Sequence, residues 1–232
     1  MEIGILYNIF VCFISGFTGL AVFYFLQKRR KKEKIDYSQG LDYFSLFLGL
    51  VWILAGIRNI FVLIDRPDLN VFFSRWISEP LLYIHILPAL YYFGWSFFKK
   101  NKKVEHLFDG FFTITVTAAV ITCLVYGVVP GEITPWGMKN KPNPITDKIF
   151  TFGVFLPGAI IIIIEFLRRL NRVRKNQNRQ EKQLFGFSLG FLIYVSTGAL
   201  EVLVFSQDWL MLLARVAIMI APLTFYWSAT WE

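Results

Sequence analysis

The sequence predicts an all-α integral membrane protein, a single-domain bundle of seven transmembrane helices with the N-terminus outside and the C-terminus in the cytoplasm. Three observations carry that expectation. The 232 residues are 56% hydrophobic with a mean hydropathy of +0.53, too apolar for a chain that folds in water. The apolar residues fall into seven runs, each long enough to cross a hydrocarbon core about 30 Å thick, which takes about 20 helical residues. Seventeen of the 24 basic residues lie in three clusters, at 28–34, 99–103 and 168–182. With seven crossings all three fall on one side, the distribution that holds loops in the cytoplasm. The runs lack the short alternating pattern of barrel strands, so helices are expected throughout.

Span one, 3–26, contains GFTGLAVFYFL and stops at QKRRKKEK. Span two, 41–64, carries Trp52, Arg58 and Asn59. The link DRPDLN at 65–70 is placed outside, with Pro67 opposing helix continuation. Span three, 72–98, returns to KKNKK at 99–103. Span four, 107–129, is rich in small and hydroxylated residues that pack helices in lipid, including Thr113, Thr115, Thr117 and Thr122. The longest outer connection follows, PGEITPWGMKNKPNPITD at 130–147. Its prolines and glycines exclude a regular helix, and an ordered cap is expected there, with Trp136 as a plug or interface anchor. Span five, 148–167, includes Pro157, the run AIIIII and Glu165, and leads into a basic loop at 168–182. Span six, 183–205, has Gly186, Gly190, Gly198 and Glu201; span seven, 209–230, has Arg215 and Pro222. Pro80, Pro88, Pro157 and Pro222 predict kinks.

Several chemistries are set aside by what the spans contain. The net charge of +8 is concentrated in short loops between apolar runs, which argues for a lipid bilayer as partner and against nucleic acid. Cys12 and Cys123 sit inside spans and read as small hydrophobes, and His85 and His106 have no metal-ligand spacing. Span seven has no lysine for a retinal Schiff base, so no cofactor is expected. No Walker, GxSxG or zinc motif is present, and no enzymatic activity is expected.

The ionisable residues inside the spans are the candidate site. Each costs roughly 2.5–3.5 kcal/mol to place at mid-membrane on insertion scales, so each needs a partner, water or a ligand. Arg58, Arg75, Glu79, Glu201 and Arg215 come from four spans and fall at similar depth on the outer side. They predict an outward-facing pocket in which an arginine takes a small anionic or polar ligand, or a lipid headgroup. Interhelical ion pairs that hold the bundle are the alternative. Arg75 and Glu79 are one helical turn apart and expected on one face. His85, about two turns deeper, is a possible proton site or a hydrogen-bonded core histidine. Glu165 is at helical spacing from Arg168 and Arg169, as in an interfacial salt bridge. The basic loop at 168–182 reads as a topology anchor, an output surface or a dock for anionic lipid.

Trp52 in span two, Arg75-Trp76 opening span three, LPALYYF at 87–93 and RKNQNRQEKQLFGFSLGFL at 174–192 together carry a resemblance. With the outside N-terminus, the outline resembles the seven-helix sensor module of prokaryotic membrane histidine kinases and related receptors. The resemblance implies a receptor in a prokaryotic cytoplasmic membrane. Those kinases continue past span seven into a coiled coil and a catalytic domain, so signalling here is expected through a separate cytoplasmic or membrane partner. A proton-coupled or anion transporter or channel is the second expectation, and a structural subunit of a membrane complex the third. A conduit needs polar residues through to the inner side, and below His85 span three reads LPALYYFGW.

Overall fold

Helix α1 (Glu2–Glu33) and helix α2 (Gln39–Leu63) lie against each other along a seam of glycines. A Cβ on Gly49 would meet the Gly16 carbonyl oxygen at 2.8 Å, and one on Gly19 would meet the Gly49 backbone at 2.8 Å. Only residues without a side chain allow two helix backbones this close, the arrangement that joins helices in lipid, where apolar surface alone gives no preference for protein over solvent. At one end of the seam Arg30 lies 3.3 Å from the fully buried Asp42 carboxylate. The computed structural model describes residues 2–33, 39–138, 140–175, 178–203, 213 and 216–230.

The third apolar run is helical over Pro67–Phe98 but broken twice. Helix α3 (Pro67–Phe73) passes through a π-helical turn, Ser74–Ser78, into α4 (Glu79–Ile84), and a bend at 85–86 separates α4 from α5 (Leu87–Phe98). Pro67 ends the outer link by starting a helix at its first turn, where the missing N–H does no harm. This run therefore begins five residues before the expected 72. In the link, Arg66 and Asp68 pair at 2.7 Å, and the hydrogen bond to Asp68 raises the guanidinium pKa above its ordinary value.

Helix α6 (Lys102–Tyr126) ends at Gly127, whose φ of +78° takes the chain out of the helix. The expected cap is two short antiparallel pairs. Strand β1 (Val128–Val129) pairs with β4 (Lys141–Pro142), and β2 (Ile133–Thr134) with β3 (Gly137–Met138) between them. Helix α7 (Pro144–Phe150) opens inside the stretch expected as cap, with Asn143 accepting from the Ile145 N–H at 3.0 Å. A second π-helical turn, Thr151–Phe155, joins α7 to α8 (Leu156–Lys175).

Both π turns have one cause. In each, the residue before a proline donates its N–H five residues back, Glu79 to the Ser74 carbonyl and Leu156 to the Thr151 carbonyl. The proline ring clashes with the carbonyl four residues upstream, and widening the turn moves that carbonyl aside without ending the helix. The kinks expected at Pro80 and Pro157 take this form. Pro88 instead follows the turn at 85–86, where the backbone keeps right-handed helical dihedrals.

Helix α8 continues through Arg168–Lys175, so the first half of the expected basic loop is helix. Helix α9 (Arg179–Leu203) follows, then α10 (Ile220–Thr230). Gly186 and Gly190 let α10 approach α9 closely: a Cβ on Gly190 would lie 2.4 Å from the Phe225 ring. Phe44, Phe93, Phe191 and Phe225, none of them exposed, form the centre of the core, with ring centroids about 5 Å apart along Phe44–Phe191, Phe93–Phe191 and Phe191–Phe225.

Among the described residues, six helical stretches are long and apolar enough to cross a membrane: Ile3–Lys32, Gly40–Leu63, Pro67–Phe98, Lys102–Tyr126, Pro144–Lys175 and Arg179–Leu200. The stretch expected as a seventh span is described as a shorter apolar helix, Val216–Thr230. Large apolar side chains point away from the bundle, Ile114 at 72% and Phe152 at 68% exposure, as a chain solvated by lipid requires. The molecule is a multi-pass helical membrane protein. Its two ends differ: the strand pairs close one, the capped end, and the basic clusters lie at the other, the basic end. Gly4 of α1 lies against Pro135 at the capped end, and Ser228 of α10 lies against Gly186 near the basic end.

Candidate functional site

The broken third run holds the candidate site, because each interruption leaves a polar side chain facing another helix. Nearest the cap, Arg75 donates from Nε and Nη2 to the Leu124 carbonyl, at 3.2 and 2.7 Å, and from Nη2 to the Val125 carbonyl at 3.1 Å. These are carbonyls of the last turn of α6, which have no partner within that helix and carry the negative end of its dipole. The guanidinium also lies 5.0 Å from the centre of the Trp76 ring. Arg75 makes no ion pair among the described residues.

One turn deeper the chemistry differs. Arg58 of α2 reaches the Glu79 carboxylate at 3.4 Å and donates to Ser78 Oγ at 3.0 Å; both charged side chains are nearly buried, at 13% and 9% exposure. Arg58 and Glu79 thus form an interhelical ion pair. Arg75 and Glu79, expected on one face, serve different neighbours: Arg75 reaches α6 and Glu79 reaches α2. Of the five charges expected to share a pocket, the structure joins two and diverts a third. The Glu201 side chain and all of Arg215 lie outside the described residues.

His85 sits at the second break, buried at 3% exposure. Its Nδ1 faces the Leu82 carbonyl and its Nε2 faces the Tyr194 hydroxyl of α9. A carbonyl only accepts, so Nδ1 carries a proton, and in the neutral ring Nε2 accepts from Tyr194. With both nitrogens engaged, this is the geometry of a hydrogen-bonded core histidine. Past it, toward the basic end, come the buried Ala89, Leu90 and Phe93.

Sequence reasoning singled out Trp136 in the cap but missed what holds the cap down. Asn8 of α1 donates to the Trp136 carbonyl. Asn140 donates to the side chain of Asn70 at 2.8 Å, and Asn70 donates to the backbone carbonyl of Arg58 at 2.7 Å. A Cβ on Gly137, at φ +123°, would run into the Asn59 side-chain oxygen. The four asparagines are all buried. They tie the strand pairs to α1, α2 and α3, so the cap is a bonded cover and Trp136 a half-buried part of it. An asparagine among apolar residues was the signal, visible at Asn8 and Asn59.

At the basic end Glu165 is fully buried, with Arg168 at 2.6 Å and Arg169 at 2.7 Å. The expected salt bridge is present, deeper than an interfacial one. Arg169 also reaches Glu181 of α9 at 3.0 Å, and Ser96 of α5 donates to Glu165 at 2.7 Å. Among the described residues, no group of three or more His, Cys, Asp and Glu is placed to hold a metal. No family model, curated protein or solved structure matches the chain.

Proposed function

We propose that the chain is a receptor-like membrane module that senses a small anionic or polar ligand, or a lipid headgroup, from the capped end and signals through a partner. The proposed orientation puts the cap outside and the basic end in the cytoplasm, with seven crossings, because basic residues hold loops on the cytoplasmic side. The observation that carries the reading is the twice-broken third run, tied by polar contacts to three different helices at three depths: Arg75 to α6, Glu79 to α2 and His85 to α9. Each interruption departs from the regular α-helical hydrogen-bond ladder, and each contact gives a ligand something to compete for. A ligand that prefers one set of contacts shifts the population of the broken run between arrangements. Arg75, held among the described residues by neutral carbonyls and a ring, is the charge an anion would take.

The transporter reading draws on the same broken helix, since interrupted helices line many transport sites. Against it, on the basic side of His85 the centre of the bundle is filled by the buried rings of Phe44, Phe93, Phe191 and Phe225. Flux of protons and small anions in proteoliposomes, for the parent and Glu79→Gln, separates the two. The receptor reading expects no flux from folded protein, together with a thermal shift on adding some small carboxylate or phosphate that is lost in Arg75→Gln. Flux that disappears with Glu79→Gln overturns it in favour of transport.

A further inference from the structure

At the basic end α5, α8 and α9 converge on a cavity of about 320 Å³. Its wall carries Lys99, Lys100, Arg168, Arg169 and Arg172, with one carboxylate, Glu181. Behind it Glu165 supplies a second. Five cations therefore meet two carboxylates, an excess of three positive charges around one small space.

Two of those cations are locked. Arg169 donates to Glu165, Glu181 and Ser96 Oγ, the last at 2.8 Å. Arg168 donates to Ser96 Oγ at 2.7 Å and lies 4.4 Å over the Phe97 ring. The others are looser. Lys100 has no ion pair among the described residues, Lys99 lies 5.4 Å from the centre of the Trp95 ring, and Arg172 reaches Glu181 only at 3.6 Å.

An anchor that sets orientation needs basic residues in water or among headgroups and nothing more. It does not account for a buried carboxylate and a buried serine hydroxyl that hold two guanidinia at the wall of a shared cavity. That arrangement fixes two positive charges at the wall, with their bonded donors turned to Glu165, Glu181 and Ser96, and leaves Lys99, Lys100 and Arg172 to meet an oxyanion in the cavity. Trp95 in the wall is of the residue type enriched at membrane–water interfaces, and it lies beside the basic cluster at 99–103. The volume suits a phosphate with a small polar attachment. The geometry points to a binding site for a phosphate ester, presented by an anionic phospholipid headgroup or by a soluble phosphoester at the basic end. The inference is independent of the receptor reading, since none of these residues lies near the cap.

The test places the full chain in nanodiscs of zwitterionic lipid and adds phosphatidylglycerol to the discs or inorganic phosphate to the buffer, following thermal unfolding and, for the lipid, retention by native mass spectrometry. Lys100→Gln with Arg172→Gln removes two cations outside the locked pair, and affinity is expected to fall about fivefold for each charge removed. Arg168→Lys keeps the charge and loses the hydrogen bonds to Ser96 that fix its place in the wall, so it weakens binding at a built site and leaves a diffuse charge attraction unchanged. Response to phosphatidylglycerol alone assigns a lipid headgroup; response to inorganic phosphate in zwitterionic discs assigns a soluble phosphoester. The proposal is overturned if neither probe stabilises the parent, if the double variant responds as the parent does, or if folded Arg168→Lys binds unchanged. Should Arg168→Lys not fold, the double variant decides.

Discussion

Arg58 and Arg75 are alike as letters in an apolar run and differ in what they face. Arg58 neutralises a nearly buried carboxylate, and removing one member of such a pair leaves the other charged and stranded. Arg58→Gln is therefore expected to destabilise the protein by about 3 kcal/mol, read as thermal unfolding in detergent, whereas Arg58→Met with Glu79→Leu recovers most of that loss. If the double replacement is as unstable as the single one, the pair does more than neutralise. The presence and depth of these charges were legible in the sequence. Their partners were not, because a partner depends on how two helices are rotated about their axes, which the run of apolar residues leaves open. Arg75 shows why: it is held by the orphan carbonyls at the end of α6, and carbonyls leave no trace in a sequence. The pairing of Asn70 with Asn140, 70 residues apart, was hidden for the same reason.

Helices were foreseen, and their boundaries moved for local reasons. Prolines were legible as interruptions at Pro80 and Pro157, but the interruption is a widened turn, a form set by what the upstream carbonyl can do. Residues 168–175 looked like loop because they are charged; arginine is a good helix former, and Glu165 with Glu181 gives the charges partners within reach. Glycine carries a prediction at this scale. Gly49→Leu sets a branched side chain against the Gly16 carbonyl and separates α1 from α2, so the variant is expected to yield no folded monomer by size-exclusion chromatography. A Cβ on Gly198 would meet nothing within 4 Å, and Gly198→Ala is expected to leave stability unchanged or raise it by up to about 1 kcal/mol. Equal effects at both positions would remove the close approach as the reason for the seam.

At the scale of the molecule the two ends are chemically opposite, a bonded cover at one and an excess of cations at the other. That polarity predicts orientation: a reporter fused after Glu232 is expected to be active only in the cytoplasm, and one fused ahead of Met1 only outside. Activity of the C-terminal reporter outside would invert the bundle and place the cationic cavity on the external face. The many-helix membrane class was legible from composition and run length; the cavity was not, since it arises only where α5, α8 and α9 end together. The glycine seam has one more consequence, for the order in which the protein is made. Helices α1 and α2 are neighbours in the chain, and the close contacts of Gly16, Gly19 and Gly49 are all with residues of these two helices. Arg58, on the second helix of that hairpin, lies 21 residues ahead of Glu79 in the chain. The least apolar of the six described membrane-length stretches therefore has its counter-charge on an element synthesised before it.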